Sequence, residues 1–275
     1  MNGHGKAVRM GRVTFVGAGP GDPDLITLRG WRALQAAEVV LYDSLVDTRL
    51  LAEVTGRLLY VGKRCGKHAM PQEEISRLLA AQARKGLHVV RLKGGDGAVL
   101  GRLGEEMLYL ARHNVPYEVV PGVTSATAVP AFAGIPVTHR GLADSFAVIT
   151  AHRREDDGTF SIPPYRPTTT LVLLMSLGTT AQWREQLLAQ GYPADLPVAF
   201  VSQGGSEAQR VLVTTLAEAA TGVARAGLVS PTLAVVGRVV SLRERLAWYP
   251  AREKAALPEA ALPEPTARNM MVGGD

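Results

Sequence analysis

The feature that most constrains this chain is an alternation repeated through its first half. Five short apolar runs occur at Val13 to Val16, Val39 to Tyr42, Leu58 to Val61, Leu87 to Leu92 and Tyr117 to Val120. Each is followed at once by glycine, proline or a charged residue. Helical patterns fill most of the intervals: Leu25 to Ala37, Pro71 to Gly86 and Glu105 to His113. In the second of these, Pro71 suits the first turn, Glu73 and Glu74 favour the N-terminus, and Lys85-Gly86 suits the end. Strands alternating with helices predict an α/β fold with a parallel sheet and right-handed crossovers.

In such sheets ligands bind outside the carboxyl ends of the strands. Asp43, Lys63, Gly94 to Asp96 and Thr124 would therefore converge on one rim. The densest of these strand ends is Arg91 to Glu106, where an apolar run turns glycine-rich and then helical. That loop offers cations at Lys93 and Arg102 and acids at Asp96, Glu105 and Glu106. Taken singly, each residue has a plain alternative. Asp43 is a candidate base or a turn acid, and Lys63-Arg64 an anion site or a solvated loop pair. Asp96 is a ribose acceptor or a turn aspartate, and Arg102 with Glu105 a surface ion pair.

After Ser125 the pattern changes. Ala126 to Ala133 is small and apolar, a packed helix or a linker. Strand candidates follow at Phe146 to Thr150, Leu171 to Met175, Val198 to Val201, Val211 to Thr215 and Leu233 to Val240. The last two lack a long helix between them, so a mixed sheet is expected in this half. Residues 1–10 are expected to be loose, and the Ala/Pro/Glu-rich tail after Pro250 disordered.

Several functions are argued against. Gly17-Ala18-Gly19 invites a dinucleotide reading, but Asp22 stands at the sixth position of that fingerprint and Pro20 removes a backbone donor. There is no HExxH, no close histidine pair, no phosphate-binding GxxxxGK[ST] and no GxSxG, so no metal site, ATPase or α/β-hydrolase is expected. Cys65 is the sole cysteine. It permits no internal disulfide and fits a reducing, cytoplasmic compartment. No apolar run is long enough for a membrane span. Aromatic residues make up 5% of the chain and the net charge of +5 is scattered. A small acidic ligand fits this balance better than nucleic acid.

The ordered set of motifs is more specific than any one of them. Val16-Gly17-Ala18-Gly19-Pro20-Gly21-Asp22-Pro23, Tyr42-Asp43-Ser44-Leu45-Val46, Val61-Gly62-Lys63-Arg64, Pro71-Gln72-Glu73-Glu74-Ile75 and Leu92-Lys93-Gly94-Gly95-Asp96 come first. Val120-Pro121-Gly122-Val123-Thr124 and Gly134-Ile135-Pro136-Val137-Thr138-His139-Arg140 follow, then Ser230-Pro231-Thr232-Leu233 and Leu246-Ala247-Trp248-Tyr249. Over about residues 12–249 this resembles the tetrapyrrole (class III) methyltransferases, and within them the uroporphyrinogen-III C-methyltransferases.

The resemblance implies two αβα domains facing a central cleft, here residues 11–121 and 122–250, in a homodimer. It implies methylation of the octacarboxylate uroporphyrinogen III on rings A and B by S-adenosylmethionine, giving precorrin-2 for sirohaem or cobalamin. By the same resemblance Asp43 is the proton acceptor and Lys63 the proton donor, while Arg102 and Glu105 act on the substrate. Cofactor contacts map to Pro20, Gly94, Gly95, Asp96, Val99, Thr124, Ser125, Met175 and Gly204. The main departures lie in the glycine-rich loop, where Gly97 replaces proline, Ala98 and Leu100 replace aromatics, and Leu103 replaces glycine. Another acidic substrate, or binding without turnover, are the competing readings.

Overall fold

The computed structural model describes residues 9–62, 70–152 and 160–249. The expected tail, 251–275, and most of the expected loose N-terminus lie outside these residues.

The first sheet contains β1 (Arg12–Gly17), β2 (Val39–Tyr42), β3 (Arg57–Tyr60), β4 (His88–Lys93) and β5 (Tyr117–Val120). Their order is β3-β2-β4-β1-β5, and every pairing is parallel. The connecting helices are α1 (Leu28–Gln35), α2 (Gln72–Arg84) and α3 (Leu103–Arg112). Successive strand residues face opposite sides of a sheet. Here both sides are covered. Val13, Phe15, Val39, Leu41 and Val89 pack with Ile75 and Leu79 of α2 and Leu103 and Leu110 of α3. Val16, Val40, Val90 and Leu92 pack with Leu34 of α1 and with Leu50 and Leu51 on the other side. Burial on both faces is why these strands read as continuous apolar runs rather than alternating ones.

The order of the strands fixes where a ligand can enter. The neighbours β1 and β4 send their connections in opposite directions, β1 across β4 to β2 and β4 across β1 to β5. Such a switch point opens a crevice at the carboxyl ends of the two strands. A water-sized cavity near that point is lined by Val16, Gly17, Lys93, Asp96, Gly97 and Leu103, among others.

After β5 the chain forms α4 (Ser125–Phe132), then a second sheet of β6 (Ser145–Thr150), β7 (Thr169–Leu174), β8 (Pro197–Ser202), β9 (Arg210–Thr215) and β10 (Thr232–Val236). The order is β6-β7-β10-β8-β9. Only β6 and β7 run parallel; β10 is antiparallel to both neighbours, and β9 is antiparallel to β8. The mixed sheet expected in this half is present. One face packs Leu171, Leu173, Val198 and Phe200 on Trp183 and Leu187 of α5 (Thr180–Ala189). The other packs Val172, Ala199, Val201, Leu233 and Val235 on Ala126, Val129 and Ala133 of α4 and its C-terminus. Val99, from the loop after β4, joins that second face. The two sheets are thus stitched together by α4 and by the glycine-rich loop.

Three boundaries differ from expectation for identifiable reasons. The helix expected from Leu25 begins at Leu28, because Thr27 caps it, its hydroxyl accepting the Gly30 N–H, after a separate 3-10 turn over Pro23–Leu25. The strand expected from Leu233 to Val240 stops at Val236, because Gly237 at φ 150° turns the chain into a 3-10 helix over Arg238–Leu242. The helix expected from Glu105 begins at Leu103, where left-handed Arg102 (φ 58°) ends the loop and Leu103 enters the core. The short helix α6 (Ala219–Ala226) separates β9 from β10. Among the described residues no helix is long and apolar enough to cross a membrane.

Candidate active site

The rim is built first by backbone. Gly19 and Gly95 bridge reciprocally: Gly95 donates its N–H to the Gly19 carbonyl at 2.7 Å, and Gly19 donates to the Gly95 carbonyl at 3.2 Å. Ala18 donates to the Lys93 carbonyl at 2.8 Å. These bonds explain physically why the Gly17-Ala18-Gly19 turn is no pyrophosphate cradle. The N–H groups of Ala18 and Gly19, which a phosphate would need, are already consumed by the β4 loop. A side chain on Gly17 would lie 2.6 Å from Gly122 Cα, and one on Gly122 would lie 2.4 Å from the Gly95 oxygen. Three strand-end loops therefore meet backbone to backbone, and only glycine permits that approach.

Asp96 ties the same loops together. Its Oδ1 accepts the Ala98 N–H at 2.7 Å and its Oδ2 accepts the Gly122 N–H at 3.0 Å. It is a turn aspartate and an inter-loop tie at once. An ionised carboxylate has about four acceptor sites, so capacity remains for a ligand hydroxyl.

The expected cofactor positions sort by what each does. Gly94 is glycine for packing, since a Cβ there would sit 2.6 Å from Leu45 Cβ. Gly204 is likewise set by packing, since a Cβ there would sit 2.3 Å from Val129 Cγ1. Gly95 differs. It is left-handed at φ 65°, and the space beside its Cα opens towards Ser125: a Cβ there would lie 3.6 Å from the Ser125 nitrogen. Ser125 starts α4, where a helix leaves N–H donors unpaired. Thr124 caps it, its hydroxyl accepting the Ala126 N–H at 3.3 Å. Pro20 follows the Gly19 bridge. The next residue, Gly21, faces Gly204, with 3.9 Å between its Cβ position and the Gly204 oxygen. The loops carrying Pro20 and Gly204 thus meet across the two sheets. Met175 stands at the end of β7, 45% exposed.

Local backbone marks the same places. Leu100, Arg102, Met175 and Gln203 all adopt positive φ, at 53°, 58°, 57° and 49°. They fall in the loops after β4, β7 and β8. Non-glycine residues hold that conformation at a cost, and such strain gathers at functional sites.

The expected catalytic residues fall into two groups. Arg102 and Glu105 pair with each other, Nη2 to Oε2 at 2.7 Å and Nε to Oε1 at 2.8 Å, with both side chains more than half exposed. The Glu105 hydrogen bond raises the Arg102 pKa, and the Arg102 hydrogen bond lowers that of Glu105. Asp43 sits just past β2. Its Oδ1 accepts the Leu45 N–H at 3.2 Å and its Oδ2 lies 3.3 Å from Arg91 Nη2. Lys63 lies outside the described residues.

Beneath Asp43 runs a charge ladder that sequence reasoning does not anticipate. Glu106 is fully buried on the core stripe of α3 with Leu103 and Leu110. Its Oε1 accepts from Gln72 Nε2 at 2.7 Å, Lys93 Nζ at 3.1 Å and Arg91 Nε at 3.4 Å, while its Oε2 lies 3.4 Å from Arg91 Nε without a hydrogen bond. Arg91, 3% exposed, also donates to the Leu92 carbonyl at 3.0 Å. Burial lowers the Lys93 pKa, Arg91 lowers it further, and Glu106 opposes both. A signal is present nonetheless. Arg91 and Lys93 stand two apart in a buried strand, so they share a face and require an acid there. Among the described residues no group of three or more metal-ligating side chains converges.

Known proteins share this arrangement. Residues 12–220 match the model of the Tetrapyrrole (Corrin/Porphyrin) Methylases. The chain is 47% identical over 251 residues to a siroheme synthase of Azotobacter vinelandii, covering 90% of this chain and 54% of the relative. A siroheme synthase of Methylobacillus flagellatus is 44% identical over 254 residues with the same coverage. The chain spans about half the length of these curated relatives. Among solved structures, a uroporphyrin-III C-methyl transferase of Thermus thermophilus complexed with S-adenosyl homocysteine superposes with a TM-score of 0.72 at 46% identity. That match covers 84% of this chain and all of the other. A cobalt precorrin-4 methyltransferase gives a TM-score of 0.70 at 30% identity. Motif order, paired sheets and a glycine-bridged rim agree with these matches, and the chain belongs to the tetrapyrrole (corrin/porphyrin) methylase family.

Proposed function

We propose that this chain transfers methyl groups from S-adenosylmethionine to carbon atoms of uroporphyrinogen III, on rings A and B, giving precorrin-2 for sirohaem synthesis. The observation that carries this reading is the match, over 84% of the chain, to a uroporphyrin-III C-methyl transferase bound to S-adenosyl homocysteine. The rim fits such a ligand. Gly95 leaves an opening beside Ser125, Asp96 keeps acceptor capacity, and Val99 and Met175 offer apolar surface. Pro20, Gly94 and Gly204 shape the walls, and Thr124 orders the start of α4. When bound, the cofactor supplies an electrophilic methyl on sulfur.

The residues of the chain then have three tasks. The rim aligns donor and acceptor and excludes water. Asp43, past the end of β2 in the first sheet, accepts the proton that another position of the macrocycle gives up to neutralise the cation left by methyl transfer; the methylated carbon is fully substituted and carries no proton of its own. Lys63 is assigned as proton donor by family likeness. Arg102, on the exposed start of α3, engages substrate carboxylates, and Glu105 holds its guanidinium in place for them. The same reading places the chain in the cytoplasm as a homodimer, with its two domains dividing near residue 121.

The test is direct. The protein is incubated with S-adenosylmethionine and freshly generated uroporphyrinogen III, and products are resolved by mass. A doubly methylated product is expected. Cofactor binding without any methyl transfer would overturn the assignment.

A further inference from the structure

The ladder under Asp43 has no assigned part in methyl transfer. Its members come from four elements: Asp43 from the end of β2, Arg91 and Lys93 from β4, Glu106 from α3 and Gln72 from α2. Arg91 is the shared rung. Its Nη2 reaches Asp43 Oδ2 at 3.3 Å and its Nε reaches Glu106 at 3.4 Å. Asp43 is a quarter exposed, whereas Arg91 and Glu106 are buried. The ladder thus runs from the core to a single half-open carboxylate at the rim.

Burying two cations in a central strand is costly unless they are paired. A core shaped only for stability would do better with apolar residues there. Glu106 balances one cation, and Asp43 balances the other. The arrangement leaves the Asp43 carboxylate held at both oxygens, Oδ1 by its own turn and Oδ2 by Arg91. A guanidinium presents its donors in a rigid fork, so it fixes the direction of the group it binds as well as its charge.

We propose that Arg91 is a positioning residue: anchored on Glu106, it holds the Asp43 carboxylate in one orientation at the carboxyl end of β2. The inference rests on the assignment of Asp43 as proton acceptor. Arg91 touches no substrate itself. Removing it leaves Lys93 and Glu106 as a neutral pair, so Arg91→Met is the mildest break in the ladder.

The test has two readouts. The first is the χ1 distribution of Asp43, from three-bond couplings in aspartate-labelled protein, with Asp43→Asn identifying the signal. One rotamer is expected in the wild type and averaging in R91M. This readout stands whether or not the protein methylates uroporphyrinogen III. The second is a double-mutant cycle in the methylation assay. R91M should lower kcat by roughly tenfold or more with unchanged adenosylmethionine affinity, and should add little to D43N. Should R91M fail to fold, Arg91→Lys keeps the cation but loses the fork, and a smaller fall in kcat with partial averaging is expected. A single Asp43 rotamer in the variant that folds, or equal losses of kcat with and without Asp43, would overturn the proposal. A wild type that fixes Asp43 through Arg91 yet transfers no methyl would sink only the functional reading.

Discussion

Lys93 Nζ lies 3.1 Å from the carboxylate of Glu106, and both side chains are buried, Glu106 completely. The pair sits directly under the loop that forms the rim. Its two partners come from strand β4 and helix α3, so it also fixes the helix against the sheet. Breaking a buried pair from one side leaves an uncompensated charge, which costs about 3–5 kcal/mol. Glu106→Ala strands Lys93 and leaves Arg91 with Asp43 alone, and is expected to fall in that range in urea unfolding. A loss under about 1 kcal/mol would show that the cations find other partners.

How much of this is legible in the sequence depends on the scale of the interaction. The five strands of the first sheet can be placed because burial on both faces makes them continuous apolar runs. Val39–Tyr42 and Tyr117–Val120 agree to the residue. The mixed second sheet follows from the absence of a long helix before Leu233. The burial and pairing of Arg91 and Glu106 escape notice because a charge in a strand or helix reads as solvent-facing unless its partner is known. That partner is 15 residues away and on another element. Gly94 and Gly204 are expected as cofactor contacts; what the sequence does not display is that Leu45 and Val129 also leave no room for a side chain at either. Packing across elements is what a single sequence does not display.

Asp96 joins two loops through Ala98 and Gly122. Asp96→Ala removes an acceptor from two backbone donors, costing about 1–3 kcal/mol of stability. It also frees the β5 loop that leads to Thr124 and Ser125. Calorimetry should show adenosylmethionine affinity falling in Asp96→Ala, while Asp96→Asn retains part of it. Unchanged affinity in the alanine variant would remove Asp96 from the site.

Gly95 occupies φ 65°, and its free side opens towards Ser125. Gly95→Ala adds a strained β-carbon at about 1 kcal/mol, and places it in the opening assigned to the ligand. The expected result is a small loss of stability with a larger loss of adenosylmethionine affinity. Gly204→Ala, whose Cβ meets Val129 instead, is expected to show the reverse balance. Equal patterns in the two variants would contradict the distinction drawn between these glycines.

Arg102 and Glu105 form an exposed i,i+3 pair at the start of α3. Such pairs contribute about 0–1 kcal/mol, so Arg102→Ala should leave the unfolding midpoint nearly unchanged. Its assigned role is towards substrate carboxylates. Turnover should therefore fall while adenosylmethionine affinity is kept. Parallel loss of both would contradict a substrate role.

The turn after β2 gives a pH signature. Asp47 caps the 3-10 helix Thr48–Leu51, accepting the Arg49 N–H at 2.8 Å, and its carboxylate takes Arg49 Nη2 at 2.8 Å. That turn carries Leu50 and Leu51 into the core behind the rim. The Arg49 hydrogen bond, partly opposed by burial, holds the Asp47 pKa below its ordinary 3.8. The unfolded chain therefore binds this proton more readily than the folded one, and stability falls as pH drops. The contribution is complete above pH 3.8 and is lost as pH falls through the lower folded value. Asp47→Ala should cost about 1 kcal/mol near neutrality, as loss of a helix cap does. In urea titrations at stepwise lower pH, the gap between wild type and variant should narrow below 3.8. A gap that stays constant across that range would mean the cap acts without its charge.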